Sequence, residues 1–333
     1  MNRPIIVATH RIHDEVAERL RQAGELRLNT GPEPWSPAEL RARLQGASAL
    51  MGFMTDRVDA ELLAATPSLR IVACALKGPD SYDEDACTRA GVWMSIVPDL
   101  LTAPTAELAI GLAIGLGRNL REGDARVRSG AHRGWRAQLY GTGLDGSVAA
   151  VLGLGLVGRG IAARLQGFGC RRVLGFDPSA AAVPGVEPCT LEQAVSLADW
   201  LFVAVPLTPS TRHLVGASLL HDAKPGQLVV NVGRGSVVDE EAVAAALRSG
   251  RLGGYAADVF EFEDWSLPDA PTAVPDALRT AERTLFTPHI GSAVTRVRLE
   301  IEHRAASNIL AVLANRRPPD AVNEVLADMA VGM

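Results

Sequence analysis

The chain has 333 residues, 47% of them hydrophobic and 21% charged, with a formal net charge of −5. That length is too great for one ordinary core and fits two domains. The slight acidity excludes a global basic field for nucleic acid or an anionic membrane, so an anionic substrate needs a local positive pocket. The four cysteines show no Cys-x-x-Cys spacing and read as buried thiols in a reducing cytoplasm, and the seven scattered histidines suggest no metal site.

No secretory signal opens the chain, and Ile5–Ala8 reads as a first strand. Leu26–Leu28, Ala49–Phe53 and Ile71–Cys74 follow as strands, separated by amphipathic stretches such as His13–Ala23. This alternation predicts a parallel sheet covered on both faces. Pro98 and Pro104 bracket a boundary, and a long apolar helix is expected from about Thr105 to Leu120. Its apolar run, Leu108 to Gly117, is too short to span a bilayer. Arg126 to Gly143 has no clear periodicity and is long enough for a lid or substrate cover.

A second strand–helix series begins at Ser147. Ala149–Leu152, Arg172–Phe176, Trp200–Val205, Leu228–Val232, Tyr255–Val259 and Thr284–Phe286 read as strands, with Glu240–Ser249 among the helices. A final helix, roughly Ala293 to Ala314, would carry the chain back towards the first domain. The expected fold class is α/β, with two Rossmann-like or flavodoxin-like parallel-sheet domains and a cleft between them.

Gly153-Leu154-Gly155-Leu156-Val157-Gly158 is a G-x-G-x-x-G run that follows an apolar strand and opens a helix. Gly153 serves the tight turn, Gly155 lets the backbone approach a pyrophosphate, and Gly158 lets the helix pack closely; Leu156 and Val157 accompany them in the first turn. Asp177, at the end of the next strand, should accept bonds from the adenosine ribose and repel a 2′-phosphate, which favours NAD. Val205, Pro206, Leu207, Val232, Gly233, Arg234 and Asp258 lie at later strand ends and are further candidate cofactor contacts.

Arg234, Glu263 and His289 also stand near strand ends. Arginine can hold an anion through two parallel bonds, and histidine can exchange a proton near neutral pH when a carboxylate fixes its tautomer. Lys77, followed by Gly78, adds a second cation, a pairing suited to a doubly charged oxyanion. Met54, Trp135, Tyr140 and Ser292 are second-rank candidates for the substrate site.

Gly153–Gly158, Asn231–Gly235, Ala257–Glu261 and Thr287–Ser292, in that order, resemble the D-2-hydroxyacid dehydrogenase family over nearly the whole chain. The resemblance implies Arg234 as substrate anchor, His289 as acid/base and Glu263 as its partner. It also implies a discontinuous substrate domain (1–100 with 310–333), an NAD-binding domain (101–309), and a homodimer with the Arg126–Gly143 region near its interface.

Ala75–Gly78, Val97–Thr102, Tyr140–Asp145 and Phe260–Trp265 are similar to members of that family that oxidise phosphite to phosphate with NAD, water supplying the oxygen. Pro79 and Ser81 depart from the aromatic and asparagine expected there, and Asp177 stands where such members can have glutamate. The alternatives are dehydrogenation of a small 2-hydroxy acid and a non-catalytic NAD-sensing corepressor.

Overall fold

The computed structural model describes residues 3–264, 266–267 and 269–325. Trp265, part of one motif above, lies outside them. The chain forms two compact units. One comprises the residues up to Leu101 together with those from Ala293 onward, and the other comprises Thr102–Ser292.

The first unit is built on five parallel strands: β1 (Ile5–Ala8), β2 (Glu25–Leu28), β3 (Ala47–Gly52), β4 (Ile71–Cys74) and β5 (Trp93–Ser95), in the order β2-β1-β3-β4-β5. All four residues of β4 are buried, as expected of strands covered on both faces. Helix Asp14–Ala23 buries Val16, Ala17 and Leu20 against this sheet. Asp59 and Asp83 each cap the helix that follows them by accepting a backbone N–H, from Leu62 and Ala86.

Helix Thr295–Leu313 belongs to the same unit. Val297, Ile301, Ala305, Ile309 and Val312 form a buried stripe at helical spacing that packs on β3, β4 and helix Asp14–Ala23. Burial of each large member of that stripe contributes on the order of 1.5–3 kcal/mol. The chain therefore re-enters this unit at Ala293 and not at residue 310.

The second unit holds seven parallel strands: β6 (Val148–Leu152), β7 (Arg172–Phe176), β8 (Glu187–Pro188), β9 (Trp200–Val203), β10 (Gln227–Asn231), β11 (Leu252–Ala257) and β12 (Thr284–Phe286). Their order is β12-β11-β10-β9-β6-β7-β8. Strand order reverses between β6 and β9, and in the first unit between β1 and β3; such switch points open crevices at the carboxyl ends of strands.

The long apolar helix spans Thr102–Gly117 and not Thr105–Leu120, with Pro104 inside its first turn, where a missing N–H costs nothing. A second helix, Leu120–Arg128, takes in the start of the segment expected to be irregular from Arg126. No described helix is long and apolar enough to cross a membrane.

Candidate active site

The phosphate-binding turn follows β6. Gly153 has φ of +86°, and a Cβ there would meet the Ala204 carbonyl oxygen at 2.7 Å. A Cβ on Gly158 would stand 1.8 Å from the Gly153 oxygen, so the helix Leu156–Gly167 packs against the turn only because that atom is missing. At Gly155 a Cβ would meet nothing within 4 Å, which leaves open space in front of the helix. Gly155 caps that helix without a side-chain acceptor, so its first N–H groups remain for an anion. These features fit a dinucleotide pyrophosphate.

Asp177 is half-buried at the end of β7. One carboxylate oxygen accepts the Leu154 N–H at 2.8 Å; the other accepts those of Ser179 at 2.8 Å and Ala180 at 3.0 Å. Partial burial opposes ionisation, but these three bonds and the charge of Arg159 prevail and hold the carboxyl below its usual value. The ionised group keeps acceptor capacity for ribose hydroxyls. Val205, Pro206 and Leu207 follow β9 at the switch point, where Gly233 also approaches: a Cβ on Gly233 would lie 2.7 Å from the Val205 oxygen.

Arg234 is half-buried in the turn after β10. Asn231 shapes that turn by accepting the Gly233 N–H and donating its amide to the Arg234 oxygen, both at 3.0 Å. The next residue, Gly235, abuts the backbone of Phe260 and Glu261; a Cβ there would stand 1.9 Å from the Phe260 carbonyl carbon. The turns carrying Arg234 and Glu263 are thus in backbone contact.

His289 Nδ1 lies 2.6 Å from Glu263 Oε2, with both side chains partly exposed. With Nδ1 engaged, Nε2 remains to exchange a proton. His289 adopts φ of +53°, a left-handed conformation that costs a non-glycine residue on the order of 1 kcal/mol. Asp258 holds it there. The Asp258 carboxylate accepts the Thr287 hydroxyl at 2.6 Å and the N–H groups of Ile290 and Gly291 at 2.8 Å each, and its backbone oxygen accepts the His289 N–H at 2.8 Å. Asp258 is 2% exposed, and its carboxylate orders the histidine turn. Among the described residues no cluster could hold a metal ion.

Ser292 is half-buried beyond His289, whereas Trp135 and Tyr140 project into solvent at 82% and 78% exposure. In the first unit, Lys77 and Gly78 are half-buried in the loop after β4. Met54 is exposed after β3, and its loop is pinned by the buried Asp56, whose carboxylate accepts the Phe53 N–H at 2.7 Å. Asn231 and Thr287 lie inside the motifs quoted from the sequence, which assigned neither a role.

Fold and site together define a dinucleotide-dependent oxidoreductase built on two parallel sheets. The family model for the "D-isomer specific 2-hydroxyacid dehydrogenase, NAD binding domain" matches residues 110–291. Glyoxylate reductases of Thermococcus litoralis and Aeropyrum pernix are 31% and 33% identical, with 97% of each chain covered in both pairings. A solved protein of Thermus thermophilus matches with a TM-score of 0.88 at 32% identity, covering 96% of this chain and 100% of that one. A Sinorhizobium meliloti NADPH-dependent glyoxylate/hydroxypyruvate reductase, solved with NADP and malonate, matches at 0.84 and 30% identity, with 97% and 98% covered. The chain belongs to the D-isomer specific 2-hydroxyacid dehydrogenase family and carries its NAD-binding domain.

Proposed function

We propose that the chain interconverts a small 2-keto acid and the corresponding D-2-hydroxy acid with NAD, glyoxylate being the first keto acid to test. The observation that carries this reading is the 2.6 Å contact between His289 and Glu263 on a turn packed against that of Arg234. A non-catalytic sensor would have no need of that relay. NAD, when bound, supplies or accepts the hydride. Arg234 pairs with the substrate carboxylate, and its charge polarises the neighbouring carbonyl. His289 Nε2 donates the proton that the carbonyl oxygen needs as hydride arrives, and takes it back in the oxidative direction. Glu263 holds the ring in the competent tautomer and stabilises its protonated form. Ser292 orients the ring or the substrate from three residues further on. The names of the relatives support this substrate class.

Lys77 favours a second reading, oxidation of phosphite. A half-buried lysine in the loop after β4 adds a cation that a monocarboxylate does not require. On this reading, which follows the resemblance of Ala75–Gly78, Lys77 supplies charge and the Gly78 N–H a further donor for the dianion. His289 takes a proton from water as its oxygen bonds to phosphorus and hydride leaves for NAD. The products are phosphate and NADH.

NADH absorbance separates the two. NADH consumed with glyoxylate and none formed with phosphite supports the first, and the opposite result supports the second. Lys77→Met should lower kcat/KM for phosphite by about 100-fold or more, and leave glyoxylate turnover within about threefold. NAD binding without turnover of either anion would reject both in favour of a sensing role.

A further inference from the structure

The acidic stretch around Glu263 contains a bonding pattern that the proton relay alone does not explain. Glu240 opens helix Glu240–Arg248 and is 1% exposed, while Glu261 opens the short 3-10 turn Glu261–Glu263 and is 9% exposed. Each donates its backbone N–H to the other's carboxyl group. Glu240 N–H reaches Glu261 Oε1 at 3.0 Å, and Glu261 N–H reaches Glu240 Oε1 at 2.9 Å. Asp264 Oδ2 fastens the end of the same turn by accepting the Ser236 N–H at 2.6 Å. Glu263, whose carboxylate meets His289, lies between these two anchor points.

We propose that Glu240 and Glu261 form a positioning pair: their reciprocal bonds fix the turn to the helix and thereby hold Glu263 at Nδ1 of His289. The inference rests on the reading of His289 as the proton-exchanging group. Two buried anions in this arrangement would repel, which favours the protonated form of one carboxyl. The geometry favours Glu240 for that role. Its Oε2 is buried without a hydrogen-bond partner, whereas Glu261 Oε2 lies 2.8 Å from His213 Nε2. Burial pushes the Glu240 carboxyl up to about 7, opposed by the Glu261 N–H and helped by the charges of Glu261, Glu263 and Asp264. Tyr255 faces it from β11, with a phenol that burial and then the Glu240 charge push well above its ordinary range. The charged groups on the two short helices packed nearby, His221, Asp276 and Arg279, are exposed.

Glutamine at position 240 keeps an Oε1 acceptor for the Glu261 N–H, leucine removes it, and aspartate withdraws it by one methylene. The experiment uses the full chain saturated with NAD and carrying 15N-labelled histidine. The deshielded Nδ1 proton of His289, assigned by its loss in His289→Asn, is followed by NMR. Glu240→Gln should keep that resonance and a kcat within about threefold of wild type. Glu240→Leu should lose the resonance, with kcat down about 10- to 100-fold and an unchanged KM for the cofactor, the scale set by an ångström of misplacement. Glu240→Asp reads the same loss if the leucine variant does not fold.

A folded Leu or Asp variant with a wild-type His289 resonance overturns the proposal, as does a Gln variant as damaged as Leu. The resonance needs no turnover. A wild type that shows it, yet converts neither glyoxylate nor phosphite, rejects the reaction and leaves the positioning pair standing.

Discussion

His289 and Glu240 each sit where an isolated residue would not stay. The histidine takes a left-handed backbone that the four bonds from Asp258 to its turn outweigh. Glu240 keeps a carboxyl in the interior, raised from an ordinary 4.5 to about 7. Folded chains therefore bind its proton more tightly than unfolded ones. The stability it contributes is complete below about 4.5 and is lost as pH rises through about 7. Glu240→Gln, which cannot ionise, should match wild type near pH 4.5 and exceed it at pH 8 by up to about 3 kcal/mol. Urea denaturation at the two pH values checks this, and equal midpoints at pH 8 would show that the glutamate carries no penalty.

Among the elements, the site depends on backbone turns touching. Gly235 allows the turn after β10 to lie on the Phe260–Glu261 backbone. Gly235→Ala must push the two apart, at a cost of about 1–3 kcal/mol. The expected result is a lower melting temperature and a kcat reduced at least about 10-fold, with NAD affinity nearly unchanged because the glycine turn after β6 is untouched. Isothermal titration with NAD beside steady-state rates would test it; a loss confined to NAD affinity would contradict the account.

Burial of whole elements also explains where strands were legible. β4 and β6 are apolar runs buried on both faces, and they stand out in the sequence. β5 and β8 are missing from the sequence reading because three and two residues at sheet edges show no period; both residues of β8 are exposed. Helix Leu120–Arg128 buries no residue, so no apolar stripe announced it.

For the molecule taken entire, the second unit exposes Leu120, Val127, Trp135 and Tyr140 within one segment, at 55% to 82%. Four large apolar side chains in contact with water suit a self-complementary surface, in keeping with the homodimer that the family resemblance implies. Sedimentation equilibrium should give twice the chain mass, and Trp135→Ser combined with Val127→Asp should shift it towards one. A wild-type chain that sediments as a monomer at micromolar concentration would refute the pairing.

Alternating strands and helices and the Gly153–Gly158 turn with Asp177 were readable before any folding, because each depends on spacing along the chain, whereas the roles of Arg234, Glu263 and His289 came from motifs shared with the family. That Glu263 is the acid meeting His289 came from the family resemblance and not from spacing, and the 2.6 Å contact agrees with it. Glu261, Glu263 and Asp264 fall within four residues, and a 3-10 turn points their carboxyls at three different partners: the Glu240 N–H, the His289 ring and the Ser236 N–H. Those partners come from a helix start and two strand ends far apart in sequence, so packing, and not spacing, chose among them.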